Sequence, residues 1–468
     1  MNEEAYIIAG GGLTGLMAAL MLSKKKPKKK IIIFENSSSL GGKNQSIIYP
    51  NNEIFDFGMH LIYESCNSNV DNLYKEILNE DEWHIYEKNE KDIAGLFFQG
   101  KLQEYSHYVD LRSFDETEKK NFIKSFFFNL NKTENLIAKN ALDYLNNQFG
   151  EYIVSKIHAP ILKRMYGKEL KDLDTFAIKA TALERIILFD ANTMIDLMKS
   201  SKIRSRLAFP DQLNLPPIRE NSQKALYPKK FGMSNFVKRL IKLLENYGVE
   251  FFTETHLNNI IIEHGKIKEI SFKNNNSAFK VKKLLWSVGW PSLAKELNVD
   301  ISDLSFEKGP ETFFLFLKFD RPLDMGRLYY FYCYDENFLS FRITNYTNYC
   351  PDAVKNRQYP LCVEIWPGKI NRSKNDITEK ECLEIVLNEL KKFKIINDEH
   401  NLTFSKMETN VGQFPMPSTL NKRLIKEISI RISRLKIHNL INLGVMANDG
   451  LFFIPDIMND TYEKLKDL

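Results

Sequence analysis

The chain predicts an α/β protein with an α+β cap: a Rossmann-like domain assembled from separated stretches, with a mixed strand/helix domain inserted between them. Three observations predict it. A glycine-rich loop near the amino terminus is bracketed by strand and helix. Strand-helix alternation of the same kind returns in the second half. And 468 residues exceed the size at which one hydrophobic core stops growing.

The opening segment is the most specific. An apolar strand, Tyr6-Ile7-Ile8-Ala9, precedes Gly10-Gly11-Gly12-Leu13-Thr14-Gly15; a helical run covers 16–23, and a second strand, Ile31-Ile32-Ile33-Phe34, closes on Glu35. Strand, glycine loop, helix, strand and acid form the βαβ context of a dinucleotide site. Gly10 permits the tight turn, Gly12 lets backbone approach a pyrophosphate, and Gly15 lets helix pack closely on strand. Phosphates are expected on free N–H groups at the positive end of the helix. Glu35 follows Gly15 by 20 residues. A carboxylate there accepts from both ribose hydroxyls and repels a 2′-phosphate, which disfavours NADP. The plain alternative is a glycine loop that only turns the chain.

A polar loop over 36–40 leads to Gly41-Gly42-Lys43. A hairpin is expected from 46–49 and 53–56 around Pro50-Asn51-Asn52, running into Asp56-Phe57-Gly58-Met59-His60. From about 115 to 205 the periodicity is helical, clearest over 118–130, 141–149 and 153–166, and Pro216-Pro217 breaks it. Near Tyr227 the nucleotide-domain character resumes. Lys229-Lys230-Phe231-Gly232-Met233 introduces an amphipathic helix over 235–246 ended by Gly248, and short strands follow at 250–252, 260–262, 267–272 and 283–286. His264-Gly265 reads as a tight hairpin turn and Asn274-Asn275-Asn276 as a loop tip. A strand-rich block over 311–366 is expected to alternate apolar and polar residues, before a helix over 378–393. The strand Leu440-Ile441-Asn442-Leu443, Gly444 and a last helix from about Asp456 close the chain.

The organisation expected is therefore a nucleotide domain from residues 1–70, 225–300 and 405–468, a mostly helical insertion at 71–224 and a strand-rich insertion at 301–404, with the ligand site between the parts. A hydrophobic content of 43% fits a large core, and a net charge of +5 is small for this length. Lys24-Lys25-Lys26-Pro27-Lys28-Lys29-Lys30 reads as a solvated turn at a helix end rather than a nucleic-acid or membrane patch, because no comparable run recurs. Five scattered cysteines without a CxxC suggest neither a metal site nor a disulfide framework. The first strand starts within five residues, so no signal peptide or stable membrane insertion is expected, and a cytoplasmic protein is.

The glycine fingerprint, Glu35, Gly41-Gly42-Lys43 and Asp56-Phe57-Gly58-Met59-His60 together resemble the FAD-dependent amine oxidase superfamily, which includes protoporphyrinogen oxidase-like, phytoene desaturase-like and UDP-galactopyranose mutase-like proteins. Tyr144-Leu145, Phe149-Gly150, Pro160, Lys163, Tyr166-Gly167 and Arg185 resemble a helical stretch of a bacterial subgroup linked to surface-polysaccharide synthesis. Tyr227-Pro228-Lys229 with Gly232-Met233 resembles the start of the family's second nucleotide-domain block, and 439–456 stands in the place of its closing flavin motif. The resemblance implies a two-domain flavoprotein with FAD as cofactor. Gly10, Gly12 and Gly15, with the adjoining Leu13 and Thr14, would hold its pyrophosphate and Glu35 its adenosine ribose. Gly42 and Lys43 would lie along the pyrophosphate and ribityl chain, the lysine replacing a more usual arginine and losing its planar fork. Leu257 would offer backbone to the adenine, and Gly444 and the helix start at Pro455-Asp456 would face the ribityl chain and flavin. Val445-Met446 departs from the acid or arginine that usually follows the glycine.

By the same resemblance Gly58 and Met59 would run beside the isoalloxazine ring, and His60 would sit near flavin N5 as a hydrogen-bonding or proton-transfer group; otherwise it satisfies core backbone. Arg342, on an expected cap strand with Tyr329, Tyr330, Tyr332 and Tyr346 nearby, would recognise an anionic substrate or else belong to a solvated β-surface. Lys163 and Arg185 carry the same two readings. Trp286 and Trp290 are expected to serve core packing rather than the flavin.

The activity implied is a FAD-dependent oxidoreductase moving hydride from a substrate C–H bond to flavin N5, with a surface-polysaccharide precursor as the favoured substrate. A flavin-dependent nucleotide-sugar mutase is the alternative, and a non-catalytic FAD-stabilised binding protein a third reading. No second glycine fingerprint offers a nicotinamide site. The partner expected is a small molecule, without nucleic acid or metal, and a homodimer is allowed.

Overall fold

The computed structural model describes residues 3–130, 137–179, 181–220, 222–273, 275–368, 377–409, 415–445, 447–448 and 450–468. Asn274 and Met446, named above, lie outside the described residues. Two seven-stranded sheets organise the molecule.

The first runs in the order Glu250–Phe252, Ile31–Phe34, Ala5–Ala9, Asn275–Trp286, Lys266–Phe272, Leu257–Glu263, and Leu440–Asn442 pairs with the end of Asn275–Trp286. The strands at 250, 31, 5, 275 and 440 pair in parallel, while those at 257, 266 and 275 form an antiparallel meander. Ala5–Ala9 and Ile31–Phe34 are apolar and buried at every position, as a parallel sheet covered on both faces requires. Period-two alternation divides them between two cores. Tyr6 and Ile8 join the helix Leu13–Lys25 and the large core, whereas Ala5, Ile7 and Ala9 meet Leu293, Ala294, Ile428 and Ile432 from helices on the opposite face. The expected run over 16–23 is thus the middle of a helix that begins directly after Gly12.

The second sheet runs Leu402–Thr409, Phe313–Phe319, Tyr359–Ile365, Ser340–Asn345, Tyr330–Cys333, Ala94–Phe98, Lys101–Gln103. Two of its strands come from the 71–224 segment, so the mostly helical insertion and the strand-rich one share a sheet. The strand Leu402–Thr409 runs across residue 404. The expected apolar-polar alternation over 311–366 is corrected. Phe313–Phe319 and Tyr330–Cys333 are buried along their whole length. The reason is cover on both faces. Phe393, beyond the helix Glu379–Lys392, packs on Phe97 and Phe331, while Phe55 and Phe57 of the 47–57 hairpin region pack on Phe316 and Phe314.

The helices expected at 118–130 and 141–149 occur as Glu116–Leu130 and Ala141–Phe149. That expected at 153–166 is interrupted by a π-turn, Val154–His158, before Ala159–Tyr166. Pro160 lies just beyond it and offers no N–H to the preceding turn, which locally widens the ladder. The lysine turn meets local acids: Lys24 pairs with Glu76, Lys29 with Glu3 at 3.3 Å and Lys30 with Glu250 at 2.9 Å. Among the described residues no helix is long and apolar enough to cross a membrane.

Candidate cofactor and substrate site

The glycine loop carries three different constraints. Gly10 has φ +97°, a backbone state that suits glycine. A Cβ on Gly15 would lie 2.0 Å from the Gly10 carbonyl oxygen, so only glycine lets this helix approach the strand. A Cβ on Gly12 would meet nothing within 4 Å, which leaves open space over the helix start. The first helical bond is Leu16 N–H to Gly12 carbonyl at 3.0 Å, so the N–H groups of Leu13, Thr14 and Gly15 precede the ladder. The Leu13 side chain points into the core, so this residue offers only backbone to a ligand.

Three further loops converge on that space. Gly41 N–H donates to the Gly11 carbonyl at 2.7 Å, and a Cβ on Gly42 would stand 3.3 Å from Gly12 Cα. Gly444, at φ +89°, lies beside Ser287 and Thr14. Glu35 Oε2 accepts from Gly11 N–H at 2.8 Å, and Oε1 accepts from the N–H and Oγ of Ser37. Thr255 N–H reaches the Glu35 carbonyl at 3.0 Å, which brings Leu257, two residues on, toward the same strand end; its side chain is buried. Asp456 is exposed in the first turn of Ile454–Leu465, a helix that packs on Leu13–Lys25. Lys43 is partly buried, and loss of solvation brings its ammonium down to about 8.

Asp56, 1% exposed, ties these loops together. Its carboxylate accepts from Ser46 Oγ at 2.6 Å, Tyr227 Oη at 2.6 Å and Met233 N–H at 3.1 Å, while Tyr346 Oη donates to its backbone carbonyl. Three segments far apart in sequence are thereby clamped to the turn that carries Gly58, Met59 and His60. A Cβ on Gly58 would lie 2.3 Å from Glu364 Oε1 and 3.0 Å from Arg342 Nη2, so the turn rests directly on that ion pair. Arg342 Nε donates to Glu364 Oε1 at 2.5 Å. Burial opposes the Arg342 charge, but Glu364 together with Tyr332 and Tyr330 outweighs it and the guanidinium is held above its ordinary range; burial likewise raises Glu364 against the pull of Arg342. Burial lowers His60, the carboxylate of Asp56 opposes this, and Arg342 adds to it. Its Nδ1 is buried without a hydrogen-bond partner. Met59 is partly buried against the main core.

The tyrosine set expected around Arg342 divides. Tyr330 and Tyr332 face the guanidinium, with ring centroids at 5.8 and 5.9 Å. Tyr329 instead donates to the Glu90 carbonyl at 2.9 Å and Tyr346 to Asp56. Arg342 is the one partly exposed position of a strand whose other five positions are buried. Lys163 forms an exposed pair with Glu169 at 2.5 Å, whereas Arg185 lies against Tyr108 and has no carboxylate partner among the described residues. Trp286 is buried, and its indole donates to the Gly289 carbonyl at 3.1 Å. Sequence reasoning missed the roles of Asp56, Tyr227 and Glu364. Only the first left a signal, an acid directly before the Phe57-Gly58 turn.

These residues fit a dinucleotide cofactor. Gly12 leaves the space, Leu13 to Gly15 the free N–H groups, Glu35 the acid and His60 a polar atom still without a partner. A family model for the NAD(P)-binding Rossmann-like domain matches residues 8–77. The whole chain is similar in fold to a reduced UDP-galactopyranose mutase, with 15% identity, a TM-score of 0.74 and coverage of 99% of this chain and 96% of that one. It is also similar to a provisionally assigned protoporphyrinogen oxidase from Exiguobacterium sp. 255-15 (16% identity, TM-score 0.67, 100% and 99% covered) and to a putrescine oxidase bound to putrescine (12%, 0.62, 99% and 98%). No curated protein matches the sequence. At these identities the likeness establishes the fold, and it is the two-domain fold expected from the resemblance to the FAD-dependent amine oxidase superfamily.

Proposed function

We propose that this protein binds FAD and is a flavin-dependent oxidoreductase, in which hydride passes from a C–H bond of a small molecule under the cap to flavin N5. The observation that carries the reading is the open space at Gly12, faced by the helix start, Glu35 and the 41–43 loop. Bound FAD supplies a two-electron acceptor. The remaining work belongs to the chain. Gly10, Gly12, Leu13, Thr14 and Gly15 hold the pyrophosphate, Glu35 the ribose, Gly42 and Lys43 the linking chain, and Leu257 the adenine edge. Gly444 and the helix start at Asp456 face the ring end, where positive helix potential favours negative charge. Gly58 and Met59 wall the ring, His60 holds or passes a proton through its unpartnered Nδ1, and Arg342 orients substrate.

A specific observation favours a second reading, a flavin-dependent nucleotide-sugar mutase without net redox change. The TM-score to the mutase, 0.74, exceeds the 0.67 and 0.62 to the two oxidases, and a partly buried arginine adjoins the His60 turn. A surface-polysaccharide precursor suits either chemistry. The test is anaerobic mixing of purified protein with nucleotide sugars, amines and tetrapyrroles. Bleaching of the yellow colour by one substrate class supports the oxidoreductase. Isomerisation of a nucleotide sugar only after dithionite reduction selects the mutase, and colourless protein that takes up no FAD overturns both.

A further inference from the structure

A second cavity, of about 380 Å³, opens in the cap away from the glycine loop. It is the size of small-molecule sites. Arg185, Arg204 and Arg219 line it together with Lys88, His107 and two acids, Asp92 and Glu220. Its chemistry is cationic and unsatisfied. None of the three arginines forms an ion pair among the described residues; they are held by neutral groups instead. Arg185 Nη1 donates to Tyr108 Oη at 3.3 Å, Arg204 Nη1 to the Met198 carbonyl at 2.8 Å, and Arg219 Nη2 to the carbonyls of Arg204 and Leu207. Burial, together with the charges of Arg185 and Arg204, brings Arg219 down to about 10, the mark of guanidinium groups crowded without a counter-ion. Among the described residues the buried Arg185 Nε–H donor and His107 Nδ1 also lack partners here.

We propose that this cavity binds a phosphoryl group, with the guanidinium forks as its donors. Guanidinium groups match phosphate oxygens in pairs, and mutual repulsion among three of them is relieved when a dianion enters. A single carboxylate would leave most of those donors unused. One lining residue of the cavity, Asp92, also adjoins the candidate active site in the fold. Asp92 lies two residues before Ala94, which pairs with Tyr330, one of the two rings facing Arg342. The charge of Asp92 acts on Tyr330 and on Tyr332, the other of those rings, so a ligand anchored by its phosphoryl group at Arg185 would lie beside an acid that adjoins the tyrosine face. This extension rests on the proposed flavin site; the phosphoryl pocket itself does not.

The experiment is calorimetric titration of the full chain at low ionic strength with inorganic phosphate and, separately, with glucose 1-phosphate, while flavin content is read from visible absorbance. Expected are saturable binding of one or both probes, at least a tenfold loss in Arg185→Gln, partial retention in Arg185→Lys, and unchanged colour in each. Arg204→Gln, which gives up one carbonyl contact, is the second variant and should show the same loss. Tighter binding of the ester marks an anchor for a phosphorylated substrate, and tighter binding of the free anion marks a phosphate site. No binding of either probe, or equal binding to wild type and both variants, overturns the pocket. Colourless wild-type protein that still binds the probes sinks the flavin reading and leaves the pocket standing.

Discussion

Four residues set the sharpest tests. Gly12→Asp puts a side chain and a negative charge into the space the loop leaves open at that position, so the protein should purify colourless at near-normal thermal stability; retained yellow colour would remove the phosphate site from this loop. Gly58→Ala meets a different obstacle. At φ +75°, with Glu364 Oε1 2.3 Å from the new carbon, the methyl should cost at least about 2 kcal/mol and displace the Arg342–Glu364 pair. Equilibrium unfolding reads this, and a change within about 0.5 kcal/mol counts against the close approach. Lys43 supplies a pH dependence. Its ammonium is held near 8 without ligand, and an adjoining pyrophosphate raises it. A group raised on binding adds affinity that is complete below about 8 and fades from there to the higher value it takes in the complex, so wild type should hold FAD less tightly on dialysis as pH rises across that window. Lys43→Met should lose this dependence, and an unchanged profile would exclude the lysine. His60→Ala is expected to keep the flavin while altering its reduction rate, separating a flavin contact from core support.

At the scale of elements, the glycine loop was readable because its constraints are local: turn, helix start and strand end occupy consecutive residues. The helix Glu379–Lys392 was readable for the same reason, since Thr378 and Glu381 form a reciprocal capping box. Thr378→Ala should cost about 1 kcal/mol in chemical denaturation, and a loss below about 0.3 kcal/mol would mean the cap is redundant. The strands at 94–98 and 101–103 were not foreseen. They are short, and what stabilises Ala94–Phe98 is parallel pairing with Tyr330–Cys333, more than 200 residues away. Burial of the 311–366 strands on both faces was hidden likewise, because the residues covering them, Phe55, Phe57 and Phe393, come from distant segments.

At the scale of the molecule, the proposed cofactor site draws on residues from both ends of the chain and its middle. Ligand binding there should therefore stabilise the whole. FAD at a hundredfold excess over its dissociation constant adds about 2.7 kcal/mol to unfolding, provided the unfolded chain does not bind it. A melting temperature that rises with added FAD in wild type but not in Gly12→Asp is expected; an unresponsive wild type would argue that the site does not take this cofactor. Asp56 is the point at which this coupling is concentrated, because its one carboxylate joins the 46, 227 and 233 segments.

The sequence by itself determined the dinucleotide loop, its acid and the alternation that builds a Rossmann-like sheet, because each depends on neighbours within a few tens of residues. Tertiary structure alone decided that Glu364 braces Arg342, that Tyr346 serves Asp56 instead of facing Arg342, and that three arginines without an ion pair among the described residues gather around one cavity. Those facts depend on which distant side chains share a desolvated space. Charge and hydrogen bonding acquire their strength there, and no local pattern in the chain records them.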